Sequence, residues 1–218
     1  MWGASIDVGI RGALAMAESA LQFCPLTRTN LDQYPVGCQG SQLEFSARAA
    51  DLGAIAMLAL DGDRHIGQLQ FRRYDPALRS PDSLWDPLYW GEFGEHAPVL
   101  PDNSLSLFCY HVGQIDDTEY RDPHYQGCGI GAALLGACLD WARAHDYAAV
   151  VAKASPSFRP VMAFMGGQSI EIYQQHGFHV HASWVDDGLH RVVTDKQLID
   201  ESPVPEAAAT VSCCVLRL

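Results

Sequence analysis

The sequence predicts an α/β (α+β) chain, and three observations carry that prediction. Two apolar runs, Ile55 to Leu60 and Ile66 to Phe71, are joined by Asp61-Gly62-Asp63-Arg64, a hairpin signal. A glycine-rich stretch, Gln126-Gly127-Cys128-Gly129-Ile130-Gly131-Ala132, opens an apolar helical pattern that leads into a buried strand. A late helical segment around Tyr173 is followed by two strand-like runs, Phe178 to Val185 and Thr210 to Leu216. With 218 residues, 48% apolar and 18% charged, the chain suits one soluble domain with a well-buried core.

Residues 1–20 read as an N-terminal extension. Ile10 to Leu21 has the pattern of a surface helix, and Asp7, Arg11 and Glu18 make the region a poor signal peptide. A single domain is expected over residues 21–218. Leu21 to Leu26 reads as its first strand, Thr29 to Asp32 as the opening of a short helix, and Leu43 to Leu52 as a second helix. After the hairpin, in which Gln68 and Gln70 alternate with Leu69 and Phe71 and mark a wetter face, the pattern breaks. Pro76, Pro81, Pro87, Pro98 and Pro101 forbid regular structure from about 74 to 103, yet Leu84, Trp85, Tyr89, Trp90 and Phe93 are too apolar for an idle linker. A packed insertion is expected there.

Leu105 to Val112 is the next strand. Beyond the glycines, Ile130, Leu134, Cys138 and Trp141 share one helical stripe, widened by Leu135, Leu139 and Ala142. Arg143 and His145 close that helix, and Tyr147 to Ala152 reads as a buried strand. Ala154 to Gly167 is expected to be irregular.

The net charge of −12 and the scatter of 14 Lys and Arg residues exclude a polyanion-binding face, so no nucleic-acid partner is expected. No apolar run reaches the roughly 18 residues of a membrane span, so no membrane partner is expected. Seven cysteines, none in a Cys-x-x-Cys pair, predict a reduced, cytoplasmic protein without a metal site. Cys24 and Cys38 lack a second ligand pair. Of the adjacent Cys213 and Cys214, one is expected to enter the core, since neighbours on a strand face opposite sides.

Glycines at alternate positions remove side chains that would hold an anion away from the backbone, and the N–H groups of a helix's first turn then face it. The glycine stretch is therefore a diphosphate cradle. Gly127, Gly129 and Ala132 satisfy the dinucleotide pattern Gly-x-Gly-x-x-Gly/Ala, but the preceding residues are polar loop and the following strand ends at Lys153 with no carboxylate for a ribose. The other register is Gln/Arg-x-x-Gly-x-Gly/Ala, filled by Gln126, Gly129 and Gly131 with Pro123 upstream. That pattern resembles the coenzyme A pyrophosphate loop of the GNAT superfamily of N-acetyltransferases. Ile172-Tyr173-Gln174-Gln175-His176-Gly177-Phe178 is similar to the same superfamily's late helix and strand.

The resemblance implies a GNAT-like mixed, mostly antiparallel central sheet flanked by helices. It implies acetyl-CoA as cosubstrate, held by Val112, Gln126, Gly127, Cys128, Gly129, Ile130, Gly131 and Ala132, and a small-molecule amine acceptor acetylated directly in a ternary complex. A monomer or homodimer would serve. The strand Phe108 to Val112 would polarise the thioester through backbone N–H groups. Tyr173 matches the family's general acid. His111 is the candidate base, an imidazole being suited to proton transfer near neutral pH; Asp116, Asp117 and Glu119 read better as solvated loop. Gly166 and Ser169 stand where the family often has asparagine and alanine, which keeps a coenzyme A-binding sensor without turnover as the alternative. Trp85, Tyr89, Trp90 and Phe93 beside Asp82, Asp86, Glu92 and Glu95 would suit a cationic amine.

Overall fold

The sheet grows outward from the signalled hairpin in the computed structural model, which describes residues 21–34, 42–80, 90–113 and 121–218. β2 (Ala56–Asp61) and β3 (Arg64–Arg73) pair antiparallel, and Gly62 at the reversal takes a φ of +58°. β1 (Gln22–Leu26) pairs with β2, and β4 (Ser104–Val112) with β3, both antiparallel. β5 (Ala149–Ala154) runs parallel to β4, while β7 (Thr210–Arg217) lies antiparallel between β5 and β6 (His179–Val185). The order β1-β2-β3-β4-β5-β7-β6 is the mixed, mostly antiparallel sheet that was expected.

Helices cover both faces. α1 is Gln42–Leu52, α2 Ile130–Ala144, α3 Arg159–Met165, α4 Ile170–Gln175 and α5 Asp187–Asp195. On one face, Leu134, Leu135, Cys138 and Leu139 of α2 and Tyr173 of α4 pack on Leu69, Phe71, Leu105, Leu107, Val150 and Ala152. Leu134 is fully buried, and truncating such a leucine to alanine costs about 2–5 kcal/mol. On the other face, Val161 and Met165 of α3 and Leu189 and Val193 of α5 meet Phe108 and Cys109, and α1 lays Ala49 and Phe45 against Ile55 and Leu58.

Several expectations are corrected. Thr27 to Tyr34 forms turns rather than a helix start, because the Asn30 side chain caps the backbone N–H of Thr27 at 2.8 Å; Pro35 to Ser41 lies outside the described residues, as do residues 1–20. The 154–167 stretch contains α3, entered at Pro160 and stopped by Gly166 at φ +59°. α5 was not anticipated; the Asp186 carboxylate caps it by accepting from the Leu189 N–H at 2.9 Å. The face carrying Gln68 and Gln70 is not wet, since both are fully buried. Cys213 and Cys214 are both buried, on opposite faces of a strand covered on each side. In the described part of the insertion, Phe93 packs with Tyr74, and the indole Nε1 of Trp90 donates to the Lys153 carbonyl at 3.0 Å. Among the described residues no helix is long and apolar enough to cross a membrane.

Candidate functional site

β4 and β5 pair only over Ser104–Leu107 and Ala149–Ala152, then diverge. The link between α3 and α4 passes through that wedge from one face of the sheet to the other. The Gly166 carbonyl accepts from the Tyr110 N–H at 2.8 Å, and the Gln168 carbonyl accepts from the Ser155 N–H at 2.9 Å. Strand alternation turns the N–H of Val112, two residues beyond Tyr110, toward the same edge, away from β3. Its carbonyl on that edge accepts from Gln126 Nε2 at 2.8 Å.

Beside the wedge is a cleft of about 670 Å³ whose lining includes Tyr110, Val112, the whole of 125–132, Gln168, Ser169 and Ile172. Gly127 and Gly129 have φ of +72° and +75°, a conformation that disfavours a side chain, and no atom stands where their Cβ would be. Gly129 is the N-cap of α2 and offers no capping side chain, so the first-turn N–H groups of Ile130, Gly131 and Ala132 open on the cleft. At Gly131 a Cβ would come within 2.5 Å of Gln168 Nε2, so that amide lies against the helix start.

The loop is pinned from below. Asp122 accepts from the His124 N–H at 3.0 Å and pairs with Arg64 at 3.1 Å, and these contacts hold its carboxyl below the usual range. Tyr125 donates to Asp61 at 2.9 Å, tying the loop to the β2–β3 turn. The structure thus brings Val112 and all of Gln126 to Ala132 together, though the Gln126 side chain braces the end of β4 and the exposed Cys128 thiol turns toward the His124 carbonyl at 3.5 Å.

Tyr173 and His111 stand apart, on opposite faces of β4. Tyr173 is only 2% exposed, packed on Phe178, and is not among the residues lining the cleft. Burial pushes its phenol well above the ordinary value, with the neighbouring Tyr110 hydroxyl offsetting part of the rise. Tyr110 lines the cleft, and its buried hydroxyl faces that of Tyr173. His111 lies opposite Gln68 with a buried, unpartnered Nδ1. Asp116, Asp117 and Glu119 fall outside the described residues.

Three polar lining residues that sequence reasoning missed bear on an anionic ligand. Arg121 and Arg159 bring cations to the cleft, the first also donating to the Ala163 carbonyl, and Gln168 lies over α2. Arg159 had a signal in being the first cation after the central strand, but only folding places it here. Open glycine backbone, uncapped helix N–H groups and two guanidiniums fit the diphosphate of a coenzyme A. Among the described residues no group of three or more His, Cys, Asp or Glu could hold a metal ion.

The comparisons agree with this geometry. Residues 22–178 match the acetyltransferase (GNAT) family. Among solved structures, an agmatine N-acetyltransferase mutant in its apo form aligns with TM-score 0.55 and 13% identity, covering 91% of this chain and 100% of its own. A mosquito arylalkylamine N-acetyltransferase-like 5b aligns with TM-score 0.51 at 13% identity over 91% and 100%. An N-acetyltransferase from Staphylococcus aureus Mu50 gives 0.50 at 13% identity over 91% and 99%. At these identities the likeness is one of fold. No curated protein sequence matches this one. The family match spans most of the chain, so the chain belongs to the GNAT acetyltransferase family and by that membership is an N-acetyltransferase, an acyltransferase.

Proposed function

We propose that this GNAT acetyltransferase moves the acetyl group of acetyl-CoA directly to the primary amine of a small acceptor within a ternary complex, as a cytoplasmic monomer or homodimer. The observation that carries this reading is the uncapped α2 start, with two left-handed glycines in front of it, opening onto the cleft beside the diverging β4 edge.

The N–H groups of Ile130, Gly131 and Ala132 would hold the diphosphate, with Arg121 and Arg159 screening its charge. The rest of the donor would run toward β4, where the Val112 N–H on the wedge edge offers the thioester carbonyl an oxyanion-type donor. The two candidate proton carriers flank this point from opposite faces of β4. His111 would take a proton from the attacking amine. Tyr173, kept protonated by burial, would donate to the departing thiolate, with Tyr110 between it and the cleft.

The second reading, a coenzyme A-binding sensor without turnover, draws on the Gly166 crossing, which occupies the Tyr110 N–H on the donor edge. Thiol release from acetyl-CoA, followed over a screen of amines with mass detection of the product, separates the two. Amine-dependent thiol release matched one for one by acetylated product supports the transferase. Tight acetyl-CoA binding with no release over the whole screen supports the sensor.

A further inference from the structure

The three glycines of the cradle do not serve one purpose. Gly127 and Gly129 take φ of +72° and +75° with open space where a Cβ would stand, so the backbone turn itself calls for them. Gly131 lies within α2, outside the left-handed region, and the space its missing Cβ leaves is filled by one side chain. A Cβ there would fall 2.5 Å from Gln168 Nε2, 3.4 Å from its Cδ and 3.8 Å from its Oε1.

Gln168 reaches this point from a fixed base. Its carbonyl accepts from the N–H and from the Oγ of Ser155, at 2.9 and 3.1 Å. Two residues earlier, the Gly166 carbonyl holds the Tyr110 N–H of β4, and one residue later Ser169 is the N-cap of α4. The side chain therefore projects from a segment tied to both sides of the wedge, and it lines the cleft. Among the described residues its amide makes no hydrogen bond.

The amide also faces the helix with its donor end, since Nε2 is nearer to Gly131 than Oε1. A purely structural amide at an uncapped helix start would present its oxygen, which can accept from the unpaired N–H groups. Donor beside donor is completed by an anion that accepts from both. The sign of the lining agrees, for it includes Arg121 and Arg159 and, among the described residues, no carboxylate. Of the acids in the insertion, Glu92 accepts from the Ser80 N–H at 2.7 Å and lies 4.0 Å from Arg79, while Asp82 and Asp86 are outside the described residues.

Resting on the reading of the cleft as a coenzyme A site, we infer that Gln168 is a ligand-binding residue of the diphosphate cradle. Its side-chain NH2 group donates to the diphosphate beside the backbone N–H groups of α2. Gly131 is glycine to seat that amide rather than to admit the ligand. The cradle is thus built from two elements, the glycine loop and the link between α3 and α4.

The test titrates acetyl-CoA calorimetrically into the full chain and its variants, with melting temperatures of the ligand-free proteins alongside. Gln168→Leu should weaken binding by about 10- to 100-fold, the size of a hydrogen bond to a charged group, at an unchanged or higher melting temperature. Gln168→Glu should bind more weakly still, and its gap from Gln168→Leu should narrow as salt is raised. Gly131→Ala should lose as much affinity as Gln168→Ala, because its methyl displaces the amide, and the double variant should bind within about twofold of Gln168→Ala alone. Losses that multiply in the double variant would mean that Gly131 makes room for the ligand itself, and would overturn the inference. So would a Gln168→Leu variant that binds like the parent while Gly129→Asp binds weakly, or one that melts lower with affinity intact. A parent chain that does not bind acetyl-CoA sinks the coenzyme A reading, and this inference with it.

Discussion

Replacing Gly129 by asparagine and by aspartate separates shape from charge at the cradle. Gly129 has φ +75° with no atom where a Cβ would stand, so both side chains fit and both meet the same backbone cost, about 1 kcal/mol or less for residues that tolerate the left-handed region. Fold stability should therefore be nearly equal in the two variants. Binding should not be. A carboxylate about 5 Å from one diphosphate charge, at an effective dielectric of 20 to 40, costs about 2–3 kcal/mol, or about 30- to 150-fold in affinity. Calorimetric titration with acetyl-CoA at fixed ionic strength reads this directly. Gly129→Asp should be weaker than Gly129→Asn by that factor, and the gap should narrow as salt is raised. If the two variants bound equally, and as tightly as the parent, the diphosphate would not sit at the α2 start.

The other expected outcomes are smaller or more local. Tyr173→Phe should lower kcat about 100-fold at unchanged acetyl-CoA affinity, as for loss of a general acid; an unchanged kcat would make Tyr173 a core residue only. Arg159→Gln should weaken acetyl-CoA binding by only about 2- to 5-fold, because exposed ion pairs contribute little, and no loss at low salt would remove Arg159 from the site. Burial pushes the thiols of Cys138, Cys213 and Cys214 up to about 12 from an ordinary 9.0. Folded values above the unfolded ones mean that their contribution is whole below about pH 9 and is lost as pH rises toward 12. Urea midpoints should fall over that window, less steeply in Cys138→Ala; equal slopes would contradict the assignment.

What could be read from the sequence was local. The stripe from Ile130 to Ala142 gave α2, the reversal at Gly62 gave the hairpin, and the alternate glycines gave a left-handed loop before a helix, because each depends on residues within a turn or two of one another. Alternation showed that Gln68 and Gln70 share a face but could not show that the face is covered, since its cover comes from Arg48 of α1 and Gly91 of the insertion. The same limit hid the depth of Tyr173, whose helical register was visible while its burial beside Phe178 and Tyr110 was not. α3 is too short and α5 too sparsely apolar for periodicity to find, and what defines them is Gly166 at the end of the first and the Asp186 cap at the start of the second.

The central claim is that a coenzyme A binds across the α2 start and the adjoining edge of β4. Amide hydrogen exchange of the full chain, with and without saturating acetyl-CoA, tests it without knowledge of the acceptor. Protection should rise at 127–132 and at Val112, while the β1–β2 pairing and α5 stay unchanged. Protection confined to elements away from that cleft, or none at saturating acetyl-CoA, would contradict the account.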